Sequence, residues 1–104
     1  MKQRTIKESF SLKGIGLHSG LQTTITFRPA PVDFGYRIQR TDLEGSPVII
    51  ASAGNVKHSQ RCTLLSVDGV EVATIEHALA ALYGCEIDNC LIEIDSPEFP
   101  ILDG

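Results

Sequence analysis

At 104 residues the chain is sized for one domain, since compact domains most often run to about 100–150 residues. A composition of 42% hydrophobic and 21% charged residues, with no long polar tract, excludes a disordered chain. The net charge is −4 and the nine Lys and Arg residues are scattered, which argues against a nucleic-acid partner, because phosphates demand clustered cations.

In chain order, Ile6, Phe10 and Leu12 share one parity while Lys7, Ser9, Ser11 and Lys13 take the other, so a half-buried strand is expected over 6–12. A turn punctuated by Gly14, Gly16 and Gly20 then leads into an alternating, β-branched stretch over 23–27, and the two strands read as a hairpin. Pro29 and Pro31 end the second strand, because proline lacks the ladder donor. Short strands follow over 36–40 and 48–51. The strands over 63–67 and 70–73 flank Asp68 and Gly69, a pair favoured by tight hairpins.

The period then changes from two to 3.6. Ile75, Leu79 and Leu82 fall at i, i+4 and i+7, which predicts a helix over 75–83 with Thr74 as N-cap and Gly84 at its end. A last strand is expected over 89–94, where Cys90 shares a face with Ile92 and Ile94 and behaves as a small buried hydrophobe. The expected fold is α+β, a mostly antiparallel sheet with a helix packed on one face. No repeat, linker or low-complexity segment divides residues 1–104, so a single domain is expected. The proline-rich tail ending at Asp103 and Gly104 reads as a chain cut at a domain edge.

Cys62, Cys85 and Cys90 cannot all pair within the chain and form no C-x-x-C spacing, so reduced thiols are expected. No apolar run approaches the roughly 20 residues that span a bilayer, and the first residues lead into a strand rather than a secretory segment. A cytoplasmic location is expected.

Candidate chemistry lies in three places. The glycine loop departs from the dinucleotide-binding spacing and no helix follows it, so that reading is rejected; His18 within it is either a ligand contact or a solvated turn residue. Cys62 and Thr63, before the Asp68–Gly69 hairpin, could line a pocket, with Arg61 as the one basic neighbour of the thiol. No His/Asn arrangement supports Cys62 as a nucleophile. Glu76 and His77 open the helix. At about 100° per residue, His77 projects almost opposite the apolar stripe, flanked by the small Ala80 and Ala81, with Glu76 between the faces. Imidazole is a common metal ligand, and a carboxylate beside a metal can take a proton from water. A solvated helix face is the competing reading, since His18 and His58 show no spacing that would complete a three-ligand site.

The glycine loop with His18, the run from Phe27 to Pro31, the segment from Thr74 to Leu82, the run from Ile87 to Asn89, and the tail from Pro97 to Gly104 together resemble the UDP-3-O-acyl-N-acetylglucosamine deacetylase family of lipid A biosynthesis. The resemblance runs along nearly the whole chain but covers only that family's first domain. It implies a two-domain zinc-dependent hydrolase with its active site between similar α+β domains. By the resemblance His77 is a zinc ligand, Glu76 the general base, and Cys62 and Thr63 pocket residues; His18, from its place in the glycine loop, is added as a candidate substrate-binding residue. Arg61 stands where the family often has an apolar residue.

The other zinc ligands would come from the C-terminal domain. Alone, the chain is therefore expected neither to hold zinc stoichiometrically nor to turn over the UDP-linked sugar. An exposed inter-domain face could also make it dimerise. The alternative is a non-catalytic binding or assembly module that docks a partner on the helix face bearing His77, Ala80 and Ala81. A sensor site built from His18, His58 and His77 has no support in their placement.

Overall fold

In the computed structural model, which describes residues 2–16, 19–58 and 63–100, ten short elements build two sheets and one helix. In chain order the strands are β1 (Phe10–Ile15), β2 (Gln22–Pro29), β3 (Tyr36–Arg40), β4 (Val48–Ile50), β5 (Val56–His58), β6 (Thr63–Val67) and β7 (Val70–Ala73). Helix α1 (Glu76–Gly84) and β8 (Cys90–Ile94) follow, and a single 3-10 turn lies at Ala53–Asn55. The fold is α+β and mostly antiparallel, as the alternation implies.

Five strands form a sheet in the order β1-β2-β8-β3-β4, and β5-β6-β7 form a second. The last strand of the chain thus lies in the middle of the larger sheet, antiparallel to β2 and parallel to β3. Register explains the core. Ile25 faces Ile94, Phe27 faces Ile92, and Ile38 sits between Ile92 and Ile49, so the buried side chains occupy one sheet face. Ile75, Ala78 and Leu82 of the helical segment and Leu65 and Val72 of the small sheet join them in one cluster. Cys90, Ile92 and Ile94 are all fully buried, so Cys90 is the small core residue its parity implies.

Four expectations change. The first strand is Phe10–Ile15, not 6–12, and it runs through Gly14. It is an edge strand with little above it: Phe10 and Leu12 remain 46% and 40% exposed although Phe10 stacks on the buried Phe27 at 4.9 Å. Thr74 does not cap the helix. Its φ is +62°, Ile75 occupies the cap position, and no side chain among the described residues caps the first turn. Ala78 shares the buried stripe with Ile75 and Leu82, while Leu79 is only partly buried. The fourth change is the second sheet itself, because β5 carries no clear alternation.

The Asp68–Gly69 turn is as expected: both residues have positive φ, +50° and +82°, the pair of left-handed conformations a two-residue type I′ hairpin requires.

Arg40 joins the two sheets. Its guanidinium is buried at the end of β3, donates to both carboxylate oxygens of Asp42 at 2.8 and 2.7 Å, and donates to the Glu71 carbonyl on β7 at 2.8 Å. The bond from Arg40 holds the Asp42 carboxyl below its ordinary range against a smaller opposing effect of burial. A carboxylate with a depressed folded pKa stabilises above its unfolded pKa, and that contribution disappears as pH falls through the folded value. Asp42→Asn is therefore expected to lower the melting temperature by a constant amount above about pH 5, with the difference from the unaltered chain shrinking below about pH 4. A difference that persists at pH 2 would show that the carboxylate charge is not its source.

Candidate active site

The chain turns from β7 into α1 through Thr74 and Ile75, and this turn leads into Glu76 and His77, the pair singled out by the sequence. A positive φ is costly for a β-branched residue, of order 1–3 kcal/mol, and persists only where the surroundings impose it. Three sets of bonds do so. The Thr74 N–H donates to the Thr63 carbonyl at 2.9 Å. The Thr74 hydroxyl donates to Glu98 Oε2 at 3.2 Å. Ala73 pairs with the tail: its N–H donates to the Pro97 carbonyl at 2.8 Å and its carbonyl accepts from the Phe99 N–H at 3.0 Å.

The first helical residues emerge from this braced turn. Glu76 and His77 are both exposed, as are Ala80 and Ala81, while Ile75, Ala78 and Leu82 are buried. The outward projection of His77 deduced from helical spacing is the one observed. Glu76 lies in the first turn, where the helix dipole favours negative charge.

Thr63 is the first residue of β6, half-buried, with its carbonyl on Thr74. Its partner across the β5–β6 ladder is His58, which is exposed. His18 and Cys62 lie outside the described residues. Their sequence neighbours Ser19 and Thr63 both converge on the turn before α1: Thr63 directly, and Ser19 by donating its N–H to Glu98 Oε1 at 2.8 Å.

Sequence reasoning missed Glu98 and Thr74 as organisers of this region. Glu98 is 3% exposed, and its backbone is held by Ser96, whose hydroxyl accepts from the Glu98 N–H, donates to the Glu98 carbonyl, and meets the Thr23 hydroxyl at 2.7 Å. A carboxylate among apolar residues near the chain end was the available signal, since such a group is buried only where polar partners receive it.

The opposite end of α1 holds a cleft of about 450 Å³ lined by Lys2, Arg4, Tyr83, Glu86, Ile87 and Asp88. Three of its charged residues are engaged structurally: Arg4 pairs with Glu86 at 3.4 Å, and the Arg4 N–H donates to Asp88 Oδ2 at 2.8 Å. Asn89 adds to this clamp by accepting from the Gly35 N–H and donating to Gln3, both at 2.8 Å. The segment from Ile87 to Asn89 is thus a brace for the N-terminal residues, at the other end of α1 from Glu76 and His77.

Among the described residues no group of three His, Cys, Asp or Glu side chains is placed to hold a metal ion. What the chain offers at α1 is one imidazole with a carboxylate beside it.

The family model described as LpxC, UDP-3-O-acyl N-acetylglycosamine deacetylase, matches residues 3–104. The chain belongs to this family. It is 61% identical over 104 residues to a protein named bifunctional enzyme LpxC/FabZ of Bacteroides thetaiotaomicron, covering all of this chain and 23% of that relative. A protein of the same name from Porphyromonas gingivalis is 60% identical over 103 residues, 99% of this chain and 22% of its own. The UDP-3-O-acyl-N-acetylglucosamine deacetylase of Shewanella woodyi is 52% identical over 103 residues, 98% of this chain and 34% of its own. The chain therefore spans between about a fifth and a third of the length of these relatives, and matches those named for one activity and those named for two alike.

Proposed function

We propose that this chain supplies part of the active site of a zinc-dependent deacetylase, acting in lipid A biosynthesis in the cytoplasm, that removes acetate from a UDP-linked 3-O-acyl-N-acetylglucosamine. The observation that carries the proposal is the adjacent, outward-facing Glu76 and His77 at the start of α1 in a chain of this family. Thr63, whose carbonyl bonds the same turn, would line the substrate pocket, and His18 and Cys62 are proposed as further substrate contacts.

The donor set fits a shared metal site. His77 is exposed at the rim of the fold and would hold zinc through one imidazole nitrogen, with the further ligands contributed by the C-terminal part of the protein. When bound, the ion supplies Lewis acidity toward the amide carbonyl and the attacking water. Glu76 acts as general base: its carboxylate takes a proton as water oxygen bonds to the acetyl carbonyl carbon. The proton held by Glu76 then passes to the departing nitrogen as the carbon–nitrogen bond breaks, so that acetate and the sugar amine are released and Glu76 returns to its carboxylate form. Exposure of Glu76 and His77 in this chain suits residues that a second domain encloses, since a carboxylate and an imidazole gain strength as base and ligand once water is excluded.

The test joins the 104 residues to the C-terminal part of a family relative and follows acetate release with zinc present. Activity and about one zinc per chain are expected in the joined form, with neither in the 104 residues alone. In the joined form His77→Ala is expected to cost both zinc and turnover. Stoichiometric zinc in the short chain would refute the shared site. An intact fold with no activity in the joined form would favour the assembly-module reading, in which the exposed His77, Ala80 and Ala81 face docks a partner.

A further inference from the structure

A buried carboxylate is expensive unless its surroundings repay it, and Glu98 sits in an environment built to do so. Oε1 accepts from the Ser19 N–H at 2.8 Å, in the loop after β1, and Oε2 accepts from the Thr74 hydroxyl at 3.2 Å, in the turn before α1. These segments are far apart in sequence and belong to different sheets. The same stretch of tail bonds both by main chain: Pro100 bridges to Gly16, and Glu98 bridges to Ala73. Space for the carboxylate is made by a glycine. A Cβ on Gly16 would stand 2.3 Å from Glu98 Oε1 and 2.5 Å from Ser19 Oγ, so any side chain there collides with the bond it would have to accommodate.

We propose that Glu98 is a positioning residue: its carboxylate locks Ser19, in the segment after β1, to the strained Thr74 turn, setting Ser19 in register with Glu76 and His77. The inference rests on the function proposed above for what Glu76 and His77 do, but the lock itself is a property of the chain. Carboxylate hydrogen bonds from a backbone N–H and a hydroxyl are charge-assisted and hold geometry more tightly than neutral ones. One carboxylate bonding both segments makes the position of each depend on the other. Thr74 tolerates a left-handed backbone because it is gripped on both sides, by Thr63 and by Glu98.

The experiment is amide hydrogen exchange and assigned amide spectra of the 104-residue chain. Glu98→Ala is expected to speed exchange at Ser19 about tenfold, as loss of a hydrogen bond to a charged group should, and to move the Glu76 and His77 resonances. Glu98→Gln keeps an acceptor for Ser19 and a polar partner for Thr74 but not the charge, so it is expected to recover part of the lost protection at Ser19 and to return the resonances toward their places. Should Glu98→Ala fail to fold, Thr74→Val removes only the hydroxyl and is expected to move the Ser19 resonance through the shared carboxylate. The lock is overturned if Ser19 exchange in Glu98→Ala stays within about twofold of the unaltered chain, or if Glu98→Gln restores nothing. It is equally overturned if the Glu76 and His77 resonances stay still while Ser19 moves, or if Thr74→Val leaves Ser19 unmoved. None of these readouts requires zinc or turnover, so they stand or fall separately from the deacetylase reading.

Discussion

Glu76→Gln in the chain joined to a family C-terminal part is expected to lower turnover by about 10²–10⁴-fold, the range typical of a lost general base. The substitution is nearly isosteric and removes the carboxylate's charge together with its capacity to take a proton. Glu76 is exposed, lies outside the buried cluster, and sits where the backbone is set by Thr74, Ala73 and Glu98 rather than by its own side chain. Stability should therefore change by no more than the loss of one first-turn charge, about 0.3–1 kcal/mol, zinc content should hold, and the loss should fall on kcat rather than on KM, because a base works in the transition state more than in substrate binding. Steady-state kinetics on both forms decide it. A loss below about fivefold would remove Glu76 from the chemistry and leave it a solvated first-turn residue, favoured there by the helix dipole alone.

The second large effect concerns stability. Arg40→Ala is expected to cost about 2–4 kcal/mol, read as a lowered denaturant midpoint. The guanidinium is buried and its five donors form a planar fork, with which Arg40 meets Asp42 in two-point fashion and still reaches the Glu71 carbonyl. Alanine removes that fork, leaves the carbonyl on β7 without this donor, and opens a gap between the two sheets. Lysine keeps the charge but presents a compact ammonium, so Arg40→Lys should recover less than half of the loss. The site would feel this too, for β7 leads directly into Thr74. If Arg40→Ala costs under about 1 kcal/mol, the two sheets are held by apolar packing through Leu65, Val72 and Ile75 rather than by the guanidinium.

Both effects trace to residues that differ in how visible they are before the chain is folded. Glu76 and His77 could be placed from helical period alone, because a helix fixes the angle between neighbours locally and the apolar residues name the buried side. Arg40 could not. In the sequence it ends a short alternating strand like any surface arginine, and its burial follows from β7 approaching it from another sheet. Glu98 is similar: the proline-rich tail shows a carboxylate between apolar neighbours, but the partners Ser19 and Thr74 are supplied by distant turns. Thr74 misled for a definite reason. A threonine before an amphipathic run is a common N-cap, yet here its hydroxyl is taken by Glu98 and its backbone is left-handed, so the cap position passes to Ile75.

By itself the sequence determined what depends on neighbours a few residues apart: the alternating strands, the Asp68–Gly69 hairpin, the helix and its outward Glu76 and His77, and the buried parity of Cys90, Ile92 and Ile94. It also carried enough of the family's motifs to place the chain in that family. Tertiary structure alone decided that β8 enters between β2 and β3, that β5 to β7 form a separate sheet, that the first strand keeps Phe10 and Leu12 exposed at an edge, and that Arg40, Thr74 and Glu98 bind the pieces together. The reason is physical. Periodicity is written in each segment by the geometry of its own backbone, whereas strand order and buried polar bonds arise between segments far apart in the chain, and are chosen by which arrangement buries the apolar faces while leaving no buried charge without a partner.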